Sequence, residues 1–275
     1  MFSKNDKIEN FINNINNTIY IIKMEVDGII LILSCQKHKE TRIKDFKLDK
    51  NEYNNWKVIY VIGDFFLKKE YEIRDDNFLY IKCEDSYIHL LKKLALAIKY
   101  VNQMFTIKQG ILRCGDDLMF NVDKLIEFTN SEKYDFYGTS YNNTNYSCTD
   151  INELKNTKVD SFMYNYYLNH IEDLTNPQHN LSNVNILQYL ERPDVYGPIG
   201  IMYYLSNKCC NILINHMENI NYNIFHYDTF TNSYPYTIED SAIAFIMYFN
   251  QIPFTSKHIF FNTDIAIAQH TNRYK

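Results

Sequence analysis

Two pairs of adjacent carboxylates are the residues best suited to chemistry. The first is Asp116-Asp117, in the run Arg113-Cys114-Gly115-Asp116-Asp117. It follows an apolar segment that reads as a buried strand and precedes one that reads as a helix. Ligands of open α/β sheets sit at the carboxyl ends of strands. Carboxylates side by side repel unless a positive group joins them. A divalent cation does this, and oxygen donors favour Mg2+ or Mn2+. A surface turn in which Asp117 caps the next helix is the plainer alternative. The second pair is Glu239-Asp240, ahead of an apolar helix. The helix dipole favours acids there, and a carboxylate placed against a substrate hydroxyl is a general base; capping alone is again the alternative. A third candidate, Tyr196-Gly197-Pro198-Ile199-Gly200, holds two of the seven glycines. Glycine lets backbone approach a ligand closely, and an ordinary turn reads equally well. His258 and His270 come late, neither paired with a nearby His or Cys. The chain contains no Gly-rich P-loop, G-x-S-x-G or H-E-x-x-H, which argues against P-loop NTPases, α/β-hydrolases and zincins.

Elements of alternating type must position these groups. Residues 26–35 and 57–63 are continuous apolar runs suited to buried parallel strands. The charged stretch between them has helix potential over 40–46. A short strand is expected at 78–82. Over 85–105, Leu90, Leu91, Leu94, Ala97, Ile98 and Val101 make a helical stripe, with Asp85 and Ser86 as natural N-caps. Residues 109–114 predict a strand and 121–130 a helix. From 139 to 195 the chain is rich in Asn, Thr, Ser and Tyr, which predicts loops and short elements. Order returns at 197–214 and in a helix over 239–249, and 257–261 reads as the last strand. The alternation argues for α/β layering in a single domain, with 1–20 as an N-terminal arm.

The chain has 275 residues, 46% of them hydrophobic and 16% aromatic. Full disorder is excluded by that aromatic content, and 7 Gly with 5 Pro exclude collagen-like material. A net charge of −5 argues against a general nucleic-acid coat, which needs a basic surface. Gly-Asp-Asp also marks viral RNA polymerases, but this chain is acidic and short for one. No run approaches the ~18 apolar residues of a membrane span, and the N-terminus lacks the apolar core of a secretion signal. The six cysteines show no C-x-x-C pairing, so free thiols in a reducing, cytoplasmic compartment are expected.

Read in order, these segments resemble the inverting β-1,3-glycosyltransferases that include the galactosyltransferases and Fringe. Leu33-Ser34-Cys35 with Arg42 looks like the family's first strand and the Arg-bearing helix after it. Val58–Gly63 is similar to its second strand. Glu84-Asp85-Ser86-Tyr87 through Lys93 looks like "D-S-Y-x-N-L-T-L-K". Arg113–Asp117 resembles "K-x-D-D-D", Gly200–Ser206 resembles "G-x-G-Y-V-L-S", and Glu239-Asp240 looks like "E-D-V". The match spans roughly 30–250.

The resemblance implies a GT-A fold over 21–275: a Rossmann-like mixed sheet flanked by helices, with a nucleotide-sugar half (21–130) and an acceptor half (131–275). It implies a UDP-sugar donor, Mn2+ or Mg2+, and a glycan or glycoprotein acceptor. Asp117 would bind the metal directly, Asp116 would assist, and His270 would be the late metal ligand, with His258 as second choice. Ser34, Arg42, Asp85, Lys93, Arg113, Asp116 and Gly200 would contact the donor. Asp240, with Glu239, would be catalytic. Two positions depart from the pattern: Gly115 replaces the first Asp of the triplet, and Met202 the second Gly of the glycine motif, which would narrow a substrate pocket. The family's Golgi anchor and luminal disulfides have no counterpart, implying a cytoplasmic enzyme such as a large DNA virus would carry into its host or virion. A catalytically degenerate, GT-A-like glycan- or nucleotide-binding protein is the alternative.

Overall fold

The computed structural model describes residues 23–140, 157–181, 190–193, 195–219 and 238–271. The expected arm at 1–20 and parts of the 139–195 segment lie outside them. The apolar run after Val26 forms β1 (Met24–Leu33) at the centre of a nine-stranded mixed sheet. Parallel to it run β3 (Trp56–Gly63) on one side and β6 (Phe105–Cys114) on the other. On β3, β2 (Glu52–Tyr53) pairs antiparallel with its start and β5 (Phe78–Ile81) runs parallel on its far side. An edge strand β4 (Tyr71–Arg74) closes that flank. Beyond β6 come β11 (Met202–Ser206), antiparallel, then β8 (Phe136–Gly138) and β12 (Thr255–Ser256). Two ribbons stand apart: β7 (Leu118–Phe120) with β13 (Ala268–His270), and β9 (Thr157–Asp160) with β10 (Leu190–Pro193).

The uninterrupted apolar runs follow from burial on both faces. In β1, Ile29, Leu31 and Leu33 point into one apolar layer, and Ile30 and Ile32 into the other. The first layer is covered by α1 (Leu90–Met104), α4 (Asn207–Asn219) and α5 (Glu239–Phe249). The second is covered by α2 (Val122–Asn130), whose Leu125 and Phe128 pack beside Trp56, Tyr137 and Phe260. Each such aliphatic or aromatic side chain contributes about 1.5–3 kcal/mol. A further helix, α3 (Phe162–Asn169), packs Met163 and Tyr167 against Ile88 and Leu181 in a small separate cluster. The five described cysteines are free thiols. No helix among the described residues is long and apolar enough to cross a membrane.

Two expectations are corrected, and a third, the helix over 40–46, is met in an altered form. The helix expected from Asp85 begins as a 3-10 turn over Tyr87–His89 and becomes α-helical only at Leu90. Neither proposed cap serves it: Ser86 Oγ bonds His89 Nδ1 at 2.6 Å, and Asp85 is drawn into an ion pair. The charged stretch after β1 winds as a wide π turn over Lys39–Ile43 before a short α turn over Lys44–Phe46. The expected strand at 257–261 is reduced to β12 upstream of it. Phe260 and Phe261 enter the second apolar layer from an irregular segment, in which Phe261 makes a single bridge with Ala268 in place of a continuous strand.

Candidate active site

The strands β1, β3, β5 and β6 all end at the same edge of the sheet, and the candidate residues gather there. Gly115 N–H donates to Ile201 O at 2.9 Å, which joins the end of β6 to the loop before β11. Asp116 is buried and fully engaged. Ser34 Oγ donates to its Oδ2 at 2.6 Å, His38 Nδ1 meets the same oxygen at 2.7 Å, and Arg42 donates to Oδ1 at 3.1 Å. Burial alone would raise its pKa, but His38, Ser34 and Arg42 reverse that and lower it. Burial likewise opposes charge on His38, yet the Asp116 hydrogen bond and Cys35 outweigh it and raise the imidazole to about 9. His38 was not singled out in the sequence. Its signal is the i,i+4 spacing from Arg42, which places both side chains on one face of a helical turn.

Asp117 is the more accessible carboxylate. Arg42 reaches its Oδ2 at 3.4 Å and His270 Nε2 stands 3.2 Å from the same oxygen. The β7–β13 ribbon, which the sequence did not reveal, brings the late histidine back: His270 pairs with Leu118, and Thr271 N–H donates to Asp117 O at 3.0 Å. His258 is exposed. The helix after this turn is capped by Asn121, whose side chain accepts from Lys124 N–H at 3.2 Å, so Asp117 is not its cap.

The second acidic pair divides its labour. Glu239 is buried between Arg113 Nη2, at 2.9 Å, and the Tyr203 hydroxyl. Burial raises its pKa, and Arg113 only partly opposes this. Asp240 is partly exposed, and its Oδ2 accepts from Gly200 N–H at 2.8 Å. A Cβ on Gly200 would lie 2.9 Å from that oxygen, so a larger residue here would displace the carboxylate. Arg113 also donates to the carbonyls of Gly200 and Ile201. Its charge is therefore spent inside the protein, tying β6, the Gly200 loop and α5 together. Tyr203 was not singled out as a site residue, although it stands at the tyrosine position of the Gly200–Ser206 motif.

Lys93 is spent in the same way. Its buried ammonium donates to Asp85 Oδ1 at 2.5 Å and to Ser34 O at 2.8 Å. Asp85 in turn accepts from Gly63 N–H at 3.0 Å and Gln36 N–H at 2.8 Å. Together they lock the ends of β1 and β3 to the start of the α1 segment. Met202 lies in the second apolar layer, so its side chain fills the core and does not narrow a pocket.

The chain matches no protein-family model and no curated protein. The fit of a metal therefore rests on the donor set. Among the described residues no group of three or more His, Cys, Asp or Glu is gathered to hold an ion. Two donors, Asp117 Oδ2 and His270 Nε2, are close to the ~3 Å edge of an octahedron with ~2.1 Å bonds. A two-donor site suits a cation that completes its shell with substrate phosphates and water, as Mg2+ commonly does. Asp116, with both oxygens engaged, is left to orient its neighbours.

Proposed function

We propose that the protein is an inverting glycosyltransferase of GT-A type, moving a sugar from a UDP-sugar to a hydroxyl of a glycan or glycoprotein. One observation carries the proposal. An accessible carboxylate–histidine pair, Asp117 with His270, and a second carboxylate fixed by backbone, Asp240, come from three distant segments to one edge of the sheet. That is the equipment for binding a diphosphate and for taking a proton. The family resemblance gives the reaction class, and the geometry narrows the roles.

Asp117 and His270 would hold Mn2+ or Mg2+, which when bound neutralises charge on the leaving diphosphate. Arg42, held by Asp116 and Asp117, supplies a second positive group beside the pair. Asp240 accepts the proton of the acceptor hydroxyl as that oxygen bonds to the anomeric carbon. The bond from that carbon to the phosphate oxygen breaks, and UDP departs with the electron pair. Gly200 N–H holds one oxygen of Asp240 and so fixes the direction of its lone pairs. Arg113, Glu239 and Tyr203 hold α5 behind it, and Lys93 with Asp85 shapes the donor end; these four charged groups and the tyrosine are positioning residues.

One observation favours a second reading, that of a binding protein without turnover. Arg42 and His38 already supply positive charge to Asp116 and Asp117. Hydrolysis or transfer of any UDP-sugar separates the two. The test of the enzyme is Asp240→Asn: transfer should fall about 10²–10⁴-fold with UDP binding kept. An Asn variant that transfers at the wild-type rate removes Asp240 from the role.

A further inference from the structure

The segment after α3 holds a buried histidine that the roles above leave unused. A 3-10 turn over Ile171–Thr175 leads into residues 176–181. Gln178 ties this segment to the ends of β3 and of the turn before α1. Its carbonyl accepts from Asp85 N–H at 2.9 Å, and its side-chain oxygen accepts from Phe65 N–H at 2.9 Å. Its side-chain amide reaches Asp64 Oδ1 at 3.4 Å. Apolar residues pin the segment on both sides of this corner: Leu174 and Leu181 pack with Ile88, Met163 and Tyr167.

His179 is the residue that shapes the corner, and it is only 7% exposed. Its partners fix its protonation state. Nδ1 lies 3.0 Å from the backbone oxygen of Asp173, which can only accept, so Nδ1 carries a proton. Nε2 faces Asn176 Nδ2 at 3.4 Å. Asn176 cannot turn its oxygen there, because that oxygen accepts from Gln178 N–H at 3.0 Å. Nε2 therefore accepts, and the ring is neutral. A second proton would set two donors face to face and bury a charge. The charged groups around the ring are Asp173 on its own segment, Asp85 on the turn before α1 and Lys93 on α1. Lys37 stands beyond Asp173, at 3.5 Å from its Oδ1. Burial is the largest influence and holds the imidazole below its ordinary value; Lys93 acts with it, and Asp173 and Asp85 only partly oppose it.

We propose that His179 is a pH-operated latch. Neutral, it holds the corner at residues 176–179 and, through Gln178, the ends of β3 and of the turn before α1. Protonated, it lets the corner open while Leu174 and Leu181 stay packed. An imidazole that protonates more readily in the open state favours opening as pH falls. The open fraction should rise about tenfold per pH unit below the ordinary value of 6.5, until the docked ring itself takes up a proton. What loosens is the place where Asp85 and Lys93 tie β1 to β3. The latch does not depend on what the candidate site binds or catalyses.

The experiment is NMR on the full chain with 15N-labelled histidine, joined to hydrogen exchange at Phe65 and Asp85 between about pH 7.5 and 5, read as protection factors. At the upper pH His179 should show the Nδ1–H tautomer, and it should titrate below 6.5. Protection of both amides should fall about tenfold per unit below 6.5 in the wild type. It should stay constant in His179→Asn, whose amide can donate to Asp173 O but does not titrate. His170→Asn, at the segment's other histidine, should keep the wild-type slope. A charged His179 or its Nε2–H tautomer at the upper pH overturns the latch. So does wild-type protection that ignores pH, or a slope that persists in His179→Asn or vanishes in His170→Asn. The tautomer and the wild-type slope decide the matter even where His179→Asn folds poorly.

Discussion

Arg113→Met is the perturbation whose outcome is best fixed by the structure. Arg113 and Glu239 are 3% and 4% exposed, and the guanidinium also serves the carbonyls of Gly200 and Ile201. Removing one partner of a buried ion pair typically costs about 3–5 kcal/mol, because the other charge stays buried and unpaired. Glu239 has a way to limit this. Burial already raises its pKa, and loss of Arg113 removes the largest opposing influence, so the variant's Glu239 takes up a proton more readily. A cost near the lower bound, about 3 kcal/mol at pH 7, is therefore expected. The sign of the pH dependence follows. A carboxyl whose folded pKa is raised contributes stability fully below its unfolded pKa and loses it as pH rises through the folded value. The deficit of Arg113→Met should shrink as pH falls from 7 toward 4.5. The assay is urea denaturation of wild type, Arg113→Met, Glu239→Gln and the double variant at both ends of that range. The double variant should lose less than the sum of the singles, by about 1–3 kcal/mol. Additive losses, or a cost below about 1 kcal/mol for Arg113→Met, would refute the buried tie.

Gly200→Ala puts a methyl group 2.9 Å from Asp240 Oδ2 and must push that carboxylate aside. Transfer should fall up to about a hundredfold with the UDP response kept, read by initial rates and melting curves on the same sample; an unchanged rate would show that Asp240 need not be held there. Glu84 gives an acid-stability prediction. Burial opposes its ionisation, but charge on His89 and on Lys92, which lies 2.6 Å away, holds its pKa down to about 2. A depressed carboxyl stabilises above its unfolded pKa and loses that contribution as pH falls through the folded value. Between pH 4.5 and 2 about 3 kcal/mol should disappear, and Glu84→Gln should flatten that part of the curve; an acid limb identical to wild type counts against the ion pair.

The sheet's central strands were legible because burial on both faces leaves an unbroken apolar signature, as in Ile29–Leu33. The α1 stripe was legible because six apolar residues keep helical spacing. What escaped was pairing at long range. Leu118–Phe120 and Ala268–His270 are too short for any periodicity, and only their union explains why His270 meets Asp117. The fate of charges escaped too. Arg113, Lys93 and Asp85 have residue types suited to phosphate contacts, but type alone does not tell a group that faces a ligand from one satisfied by a buried partner. Glu239 and Asp240 are adjacent in sequence, and successive residues of a helix point about 100° apart. One therefore enters the core while the other faces the site.

The central claim is a metal-assisted nucleotide site built on Asp117 and His270. Melting curves with UDP, with Mn2+, with both and with EDTA test it most directly. The account predicts stabilisation only when UDP and Mn2+ are present together, about 2.7 kcal/mol at a hundred times Kd, and its loss in Asp117→Ala and His270→Ala. Stabilisation by UDP that persists in EDTA or in Asp117→Ala, or no response to UDP at all, would contradict it.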